Sequence, residues 1–441
     1  MSKTSTTYVS TAKRVTRRAS FKIAGRTAAA ASLFSLIKAS FPGGAFAAES
    51  GPEVKGTTLG FIALTDSAPV IIAQEKGFFA KYGLTEMKVA KQASWAATRD
   101  NLELGTANGG IDGAHILSPM PYHMSVGKIT KNNVKVPMFI LARLNTNGQA
   151  ISVSQSYADL AVGLDAKKLK SRFAALSASG DAVKCAVTFP GGTHDMWMRY
   201  WLAANGIDPD RETSVIVVPP PQMVANMKVK TMEAFCVGEP WNAQLVNQKI
   251  GYTALSTGEL WKDHPEKALS MRADWIEKNP KAAKAILMAV LEAQKWCDLM
   301  ENKEEMCSIV SGRDWFKVPV EDILGRAKGD LDMGLGRKVT ASPLLMKYWR
   351  DNASYPFQSH DLWFLTENQR WGMLPASLDT KAVIKAVNRE DLWRDAAKAI
   401  GVAATDIPAS TSRGVEKFFD GVAFDPANPA AYLASQKIKR I

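Results

Sequence analysis

The chain has 441 residues, of which 46% are hydrophobic, and its 55 Lys and Arg exceed its 43 Asp and Glu, giving a formal net charge of +12. Eight of the basic residues and none of the acidic ones lie in residues 1–47, so the remainder carries only a small positive excess. This distribution argues against a nucleic-acid-binding protein and is compatible with an anionic ligand.

The first predicted element is an export signal in residues 1–47. Arg17 and Arg18 precede an apolar run at residues 28–36, and Ala45 and Ala47 are the small residues that a signal peptidase recognises. The paired arginines indicate the twin-arginine route, although Ser20 stands where that motif usually has Phe. No cysteine stands at the cleavage site to carry a lipid anchor, and no later apolar run reaches the roughly 18 residues of a membrane-spanning helix. We therefore expect a soluble periplasmic protein.

Beyond the leader, strand-like runs alternate with helix-period segments. Strands are predicted at residues 58–64, 86–90, 110–116, 136–144, 150–154, 186–189, 215–218 and 234–237. Helices are predicted between them at residues 68–82, 95–104 and 196–205. This alternation is typical of parallel sheets covered by helices, in which ligands bind beyond the carboxyl ends of the strands. We assign residues 48–148 to the first part of one lobe, 149–254 to a second lobe, and 255–441 to a return to the first lobe with a C-terminal extension.

The last third of the chain is predicted to be helical from residue 275 to about residue 300, and then to be helices and loops rich in tryptophan. These tryptophans are interpreted as packing residues, because Lys and Arg do not line up beside them as on a nucleic-acid stacking surface. The clusters are centred on Trp315, Trp349, Trp363, Trp371 and Trp393. Earlier in the chain, the polar segment 164–181 is predicted to be a long loop.

The sequence lacks the motifs of common enzyme classes. It contains no HExxH, GxSxG or GxxxxGK[ST] pattern, and its five histidines show no metal-ligand spacing. We therefore expect no catalytic residue, no cofactor and no metal ion. The four cysteines form no CxxC pair and are interpreted as small buried hydrophobic residues. They are Cys185, Cys236, Cys297 and Cys307.

The most informative stretch is residues 188–201, where a strand ends, Pro190-Gly-Gly192 turns the chain, and a helix begins near Thr193. The first amide groups of a helix have no intrahelical acceptor, and the positive end of the helix dipole lies behind them. An anion is the natural partner of such a helix start. His194, in the first turn, can add an imidazole donor, although a lone histidine is as often an ordinary capping residue.

Five segments of the chain resemble the nitrate-binding proteins of ABC transporters, whose relatives bind bicarbonate. They lie at residues 68–84, 147–152, 190–202, 237–242 and 264–275. The first segment is common to many solute-binding proteins, whereas the motif Gly238-Glu-Pro-Trp-Asn242 is much more specific to this family. The resemblance covers essentially the whole chain after the leader. It implies a two-lobed, C-shaped α/β fold of the periplasmic binding protein type (type II-like), with a helical, Trp-rich C-terminal extension and without catalytic activity.

The resemblance also implies roles for individual residues in the ligand pocket. Trp95 matches a tryptophan that lines one wall, and Gln149 matches a glutamine whose amide donates to the ligand. His194 matches the ligand histidine, and Gly238 allows close approach of the backbone. Lys267 matches the lysine that faces the anion. Without the resemblance, Trp95 could equally be a core residue, Gln149 a surface amide, Gly238 a turn residue and Lys267 a solvated charge.

Lys267 distinguishes between candidate ligands. Nitrate has no proton to donate, so its pocket should present donors and a positive charge. In the bicarbonate-binding relatives, the resemblance implies a carboxylate at this position that helps to hold a metal ion. Lysine therefore favours nitrate or nitrite, with bicarbonate or an alkanesulfonate as the alternative. A buried ammonium without its anion is costly, so we expect the lobes to be more open without ligand. The expected partners are an inner-membrane ABC permease and ATPase, with no nucleic acid, and the protein is expected to be a monomer.

Overall fold

Strands and helices alternate through most of the computed structural model, which describes residues 51–440. The predicted export signal at residues 1–47 lies outside the described residues. The strands are β1 (Thr58–Phe61), β2 (Lys88–Lys91), β3 (Gly113–Leu117), β4 (Met138–Arg143), β5 (Gln149–Ser154), β6 (Lys184–Val187), β7 (Ser214–Val217), β8 (Ala234–Gly238), β9 (Gly251–Ser256), β10 (Lys267–Arg272), β11 (Leu331–Gly334), β12 (Arg337–Val339), β13 (Glu416–Lys417) and β14 (Ala423–Phe424).

Helices connect and cover these strands. They are α1 (Ala68–Glu75), α2 (Phe78–Lys81), α3 (Trp95–Leu104), α4 (Met120–Ser125), α5 (Lys167–Ala178), α6 (Thr193–Ala204), α7 (Met223–Lys228), α8 (Trp241–Asn247), α9 (Thr257–Leu260), α10 (Ala273–Lys278), α11 (Pro280–Asp298), α12 (Lys303–Ser311), α13 (Glu321–Lys328), α14 (Gln358–Arg370), α15 (Thr380–Val387), α16 (Glu390–Ala399) and α17 (Pro429–Ser435). The helix predicted at residues 68–82 is divided in two by Gly77, whose φ of 71° is left-handed.

Two five-stranded sheets organise the described chain. The first has the order β2-β1-β3-β10-β4, and the second has the order β7-β6-β8-β5-β9. We call the first sheet with its covering helices the first lobe, and the second sheet with its helices the second lobe. The chain passes from the first sheet to the second between β4 and β5, and returns between β9 and β10.

The sheets are mixed, whereas the alternation of strands and helices indicated parallel sheets. β10 is antiparallel to both β3 and β4, and β5 is antiparallel to both β8 and β9. Each of these strands is the first in chain order after the chain changes lobe. No helical crossover connects it to a preceding strand of the same sheet, which is the connection that makes neighbouring strands parallel. Alternation of strand and helix along the sequence cannot reveal this, because it carries no information on the direction in which a strand enters its sheet.

A third connection between the lobes runs beside the first two. Thr146 and Lys347 exchange backbone hydrogen bonds of 2.9 and 3.2 Å, and the amide of Asn147 donates to the carbonyl of His264 over 3.1 Å. The side chain of Lys347 pairs with Asp263 over 2.7 Å. Three segments of the chain therefore pass between the lobes side by side.

The segment 164–181 forms a helix where a loop was predicted. Lys167–Ala178 is helical, and Leu169 and Phe173, one turn apart, are its buried residues. Two apolar side chains at this spacing lie on one face of a helix and are enough to attach it to the domain. The remaining polar face lies toward solvent, which explains why composition alone indicated a loop.

The tryptophans of the last third confirm their interpretation as packing residues where the structure buries them. Trp363, Trp371 and Trp393 are almost entirely buried, and Trp363 stacks on Trp197 of α6 with ring centroids 5.1 Å apart. All four cysteines are free and buried, as predicted. Within residues 51–440, no helix is long and apolar enough to cross a membrane.

Candidate functional site

The ends of several strands meet at one edge between the lobes. Parallel strands β1, β6 and β8 end there, and the antiparallel strands β5 and β10 begin there. Gln149, the first residue of β5, stands opposite Gly238, the last residue of β8. Lys267, the first residue of β10, stands opposite Leu117, the last residue of β3. The reversed strands therefore bring their first side chains to the edge where ligands bind in sheets of this class.

Lys267 lies at the centre of a buried polar cluster at this edge. Its Nζ is 2.8 Å from Oδ2 of Asp66 and 3.0 Å from Oε1 of Glu266, and no part of the three side chains is exposed. It also donates to Oε1 of Gln149 over 3.3 Å. Burial alone would lower the pKa of Lys267, but the carboxylates of Asp66 and Glu266 raise it above its usual value. The side chain is therefore an ammonium in the interior.

His194 and Gln149 complete the second-lobe side of the cluster. The NH2 of Gln149 donates to Oδ2 of Asp66 over 3.0 Å, which leaves its Oε1 as an acceptor for Lys267 and for Nε2 of His194 at 2.8 Å. Because an amide oxygen only accepts, Nε2 of His194 carries a proton. Nδ1 of His194 lies 2.5 Å from Oγ1 of Thr188. Burial holds the pKa of His194 well below its usual value, with Lys267 adding to the effect, so the imidazole is neutral.

Asp66 joins the first-lobe residues to one another. Its Oδ1 lies 2.5 Å from Nε2 of His115. Burial alone would raise the pKa of Asp66, but Lys267 and His115 hold it well below its usual range. The ring of His115 lies 5.4 Å from that of Trp95, and Nζ of Lys267 lies 5.8 Å from the centroid of the Trp95 ring. Trp95 thus covers one side of the charged cluster.

Glu266 is held by donors from α6 in addition to Lys267. The indole Nε1 of Trp197 donates to its Oε2 over 2.7 Å, and the hydroxyl of Thr193 donates to Oε1. Thr193 is the first residue of α6, as the sequence predicted for this helix start. Burial raises the pKa of Glu266, although Lys267, Thr193 and Trp197 each act to lower it.

Position 238 requires a glycine because the two lobes lie too close together there for a side chain. A Cβ at this position would stand 2.6 Å from Oε1 of Gln149, 3.1 Å from a methyl carbon of Leu64 and 3.3 Å from Oδ2 of Asp66. Two of these three neighbours belong to the first lobe. The glycine therefore leaves the space in which the lobes approach each other beside the cluster.

Backbone contacts hold the lobes together around the cluster. The amide of Thr65 donates to the carbonyl of Glu239 over 2.8 Å, and the indole of Trp241 donates to the carbonyl of Ala63 over 3.2 Å. Together with the bond from Gln149 to Asp66, these contacts describe a closed arrangement with a fully enclosed site.

The structure brings all five sequence-predicted residues together, and it adds three that the sequence did not single out. Trp95, Gln149, His194, Gly238 and Lys267 all lie at the cluster. The added residues are Asp66, His115 and Glu266. Glu266 stands beside Lys267 at the start of an apolar strand, and Asp66 lies at the end of an apolar run before α1, so a carboxylate in apolar surroundings was the available signal. Within residues 51–440, no group of three or more His, Cys, Asp or Glu side chains could hold a metal ion.

Comparison with known proteins places the chain among solute-binding proteins. The sequence profile of the NMT1-like family matches residues 50–311. The nitrate/nitrite binding protein NrtA of Synechocystis sp. is 64% identical over 394 residues, which cover 89% of this chain and 87% of that protein. The bicarbonate-binding protein CmpA of Synechococcus elongatus is 45% identical over 405 residues, which cover 89% of each protein.

A solved structure gives the same result. The crystal structure of the periplasmic nitrate-binding protein NrtA from Synechocystis matches this fold with a TM-score of 0.86 at 63% identity, covering 88% of this chain and 100% of that one. The match confirms the predicted two-lobed α/β binding-protein fold. The chain therefore belongs to the NMT1-like family, among the solute-binding proteins that include these nitrate-binding and bicarbonate-binding relatives.

Proposed function

We propose that this protein captures nitrate or nitrite in the periplasm with high affinity and delivers it, as a monomer, to an ABC-type importer in the inner membrane. The observation that carries the proposal is the fully buried ammonium of Lys267, which lies beside the N–H groups of His194 and Gln149. A buried positive charge among donors favours an anion. The 64% identity to a nitrate/nitrite binding protein supports the same ligand class.

Each of the five predicted residues has a role in this proposal. Lys267 opposes the charge of the anion, and His194 and Gln149 donate hydrogen bonds to its oxygen atoms in place of their contacts with each other and with Asp66. Gly238 admits the ligand close to the backbone, and Trp95 forms a wall. No side chain is assigned a catalytic role, and residues 1–47 are assigned to export by the twin-arginine route.

Bicarbonate is the second candidate, because a bicarbonate-binding protein is 45% identical to this chain. The residue that separates the two ligands is Lys267, since the resemblance implies a carboxylate and a metal ion at that position in bicarbonate-binding relatives. We place nitrate first because nitrate has no proton to donate and needs only donors and a positive charge, whereas a lysine at this position supplies no carboxylate for a metal ion.

The substitution Lys267→Glu tests this assignment. It replaces the buried positive charge by a third carboxylate beside Asp66 and Glu266, so we expect nitrate to give no binding heat in calorimetry. Lys262→Glu is the matched control, because Lys262 lies in the same segment but is exposed; it should bind nitrate as the natural protein does. Unchanged affinity in Lys267→Glu would contradict the role of this lysine.

A calorimetric comparison of nitrate, nitrite, bicarbonate, sulfate and taurine tests the ligand itself. We expect heat from nitrate or nitrite without added metal ion. Binding of taurine alone would require a wider cleft than the one proposed, and binding of bicarbonate alone would move the protein to the second candidate function.

A further inference from the structure

The cluster around Lys267 contains more negative than positive charge. Asp66 and Glu266 both contact the same ammonium, at 2.8 and 3.0 Å, and all three side chains are fully buried. Among residues 51–440, Lys267 is the lysine or arginine whose positive charge lowers the pKa of both carboxylates. A site for a monoanion built in this way has two carboxylates for one ammonium before the ligand enters.

The other titratable groups that face Glu266 do not supply a second positive charge at neutral pH. Nε2 of His194 lies 3.7 Å from Oε1, and Nδ1 of His264 lies 3.8 Å from Oε2. Burial lowers the pKa of His264 to about 3 and that of His194 well below its usual value. The thiol of Cys236, on β8, has a pKa raised by burial and by Glu266, so it is also neutral.

His115 contributes no second charge either, because burial lowers its pKa in spite of Asp66. Its Nε2 therefore acts as a neutral donor to Asp66. Adding nitrate to the enclosed site would leave three negative groups around one ammonium, and such a charge excess is strongly unfavourable away from water.

We propose that capture of nitrate is coupled to the uptake of one proton by Glu266. This inference rests on the proposed function. The Glu266 carboxylate combines with a proton from solvent to give a carboxylic acid, so the site gains no net charge when nitrate enters. Nitrate and an ionised carboxylate both only accept hydrogen bonds, whereas the carboxylic acid supplies an O–H donor.

The surroundings of the two carboxylates assign the proton to Glu266 rather than to Asp66. Both carboxylates have three donors, but those of Glu266 include the hydroxyl of Thr193, which can also accept a hydrogen bond from a carboxylic acid. Asp66 is contacted by the ammonium of Lys267, the imidazole N–H of His115 and the NH2 of Gln149, which all donate to it and stabilise its ionised form. Its pKa is held low, whereas burial raises the pKa of Glu266. An anion bound nearby would raise the pKa of Glu266 further.

The coupling makes the affinity depend on pH with a defined sign. Binding raises the pKa of Glu266, so affinity is greatest at low pH and is lost as pH rises through the pKa of the free protein toward that of the complex. Within that interval the Kd should increase by up to about tenfold per pH unit. Nitrate itself does not titrate in this range, so the dependence belongs to the protein.

Calorimetry of the full chain with nitrate tests the coupling directly. Titrations at one pH in buffers of different ionisation enthalpy should give a binding heat that changes linearly with that enthalpy, with a slope of about one proton taken up per nitrate. Glu266→Gln removes the excess negative charge, so its slope should fall to near zero and its Kd should vary little with pH. The control Glu75→Gln, at an exposed position, should retain the natural slope.

A slope of zero in the natural protein, with normal binding heat, would overturn the coupling but leave the proposed function intact. Absence of binding of both nitrate and nitrite in every buffer would instead overturn the proposed function. Infrared difference spectra identify the group: nitrate should produce the carbonyl stretch of a carboxylic acid in the natural protein, and this band should be missing in Glu266→Gln. Persistence of the band in that variant would overturn the assignment to Glu266. If the variant does not fold, the slope and the band of the natural protein still decide the coupling.

Discussion

At the scale of single residues, hydrogen-bond partners fix the orientation of the buried polar side chains of the site. The carboxylate of Asp66 can only accept, so the NH2 of Gln149 faces it and Oε1 of Gln149 faces Lys267 and His194. One amide thus links both lobes and fixes the proton on Nε2 of His194. Any ligand that enters must exchange these bonds for its own, so the affinity reflects the difference between the two sets.

The residue-scale prediction concerns Gly238→Ala. The added Cβ would stand 2.6 Å from Oε1 of Gln149 and 3.1 Å from Leu64, which belongs to the first lobe. Overpacking of this kind costs about 1–3 kcal/mol, so we expect the Kd for nitrate to rise about tenfold or more. The thermal unfolding midpoint should change much less, because opening would separate Leu64 from the added Cβ and would free the side chain of Gln149 from Asp66, so that its Oε1 can turn away.

Gly163→Ala is the control for this substitution. The Cβ added there has an ordinary contact of 3.5 Å with the carbonyl oxygen of Ala254, and the backbone is not left-handed. Equal losses of affinity in the two variants would contradict a specific role for Gly238 in closure.

At the scale of elements, helix starts and strand starts position the site. α3 begins at Trp95 because Ser94 adopts an extended conformation and its hydroxyl accepts from the amide of Ala97 over 3.1 Å. α6 begins at Thr193 after the turn at Gly191, whose φ is 72°. Both helices therefore place a site residue in their first turn, Trp95 in α3 and His194 in α6.

The element-scale prediction is that Ser94→Ala lowers the free energy of unfolding by about 1 kcal/mol, because it removes the N-cap of α3. Chemical denaturation measures the change. Ser94→Asp should restore most of the loss, since aspartate is an equally good N-cap and its charge favours a helix start. An alanine variant as stable as the natural protein, or an aspartate variant no better than alanine, would contradict this role.

At the scale of the whole molecule, the same contacts that enclose the site also join the lobes. The bonds from Thr65 to Glu239, from Trp241 to Ala63 and from Gln149 to Asp66 all cross between the lobes. Three chain segments pass side by side between the lobes and restrict how the lobes can move. Opening would expose Lys267, Asp66 and Glu266 to water, which solvates their charges and compensates for the lost contacts.

The corresponding prediction is that the protein is more open without nitrate and closes when nitrate binds. Small-angle X-ray scattering should show a smaller radius of gyration at saturating nitrate than in nitrate-free buffer. Lys267→Glu should show no such contraction, because it should not bind the anion. The same radius of gyration in both conditions for the natural protein would contradict ligand-driven closure.

Part of the fold and site could be predicted because their causes are local. Helix α3 has its predicted bounds, Trp95–Leu104, since cap, periodicity and terminating glycine lie within a dozen residues or so. The strand, turn and helix around His194 follow from Gly191-Gly192 for the same reason. Lys267, Gln149 and Gly238 were identified through short motifs of a family, without knowledge of their distances.

The sequence by itself determined the eight strands β1 to β8 and the burial of Trp363, Trp371, Trp393 and the four cysteines, and its family resemblance supplied the five candidate ligand residues. Only the tertiary structure decided that β5 and β10 run against their neighbours, and that Asp66 and Glu266 share one ammonium. Periodicity reports that a side chain is buried, but not which distant residue it meets or in which direction its strand enters a sheet. The charge balance in the site depends on which distant side chains are in contact, namely Asp66 and Glu266 with Lys267. The proposed proton coupling could therefore be inferred only from the tertiary structure.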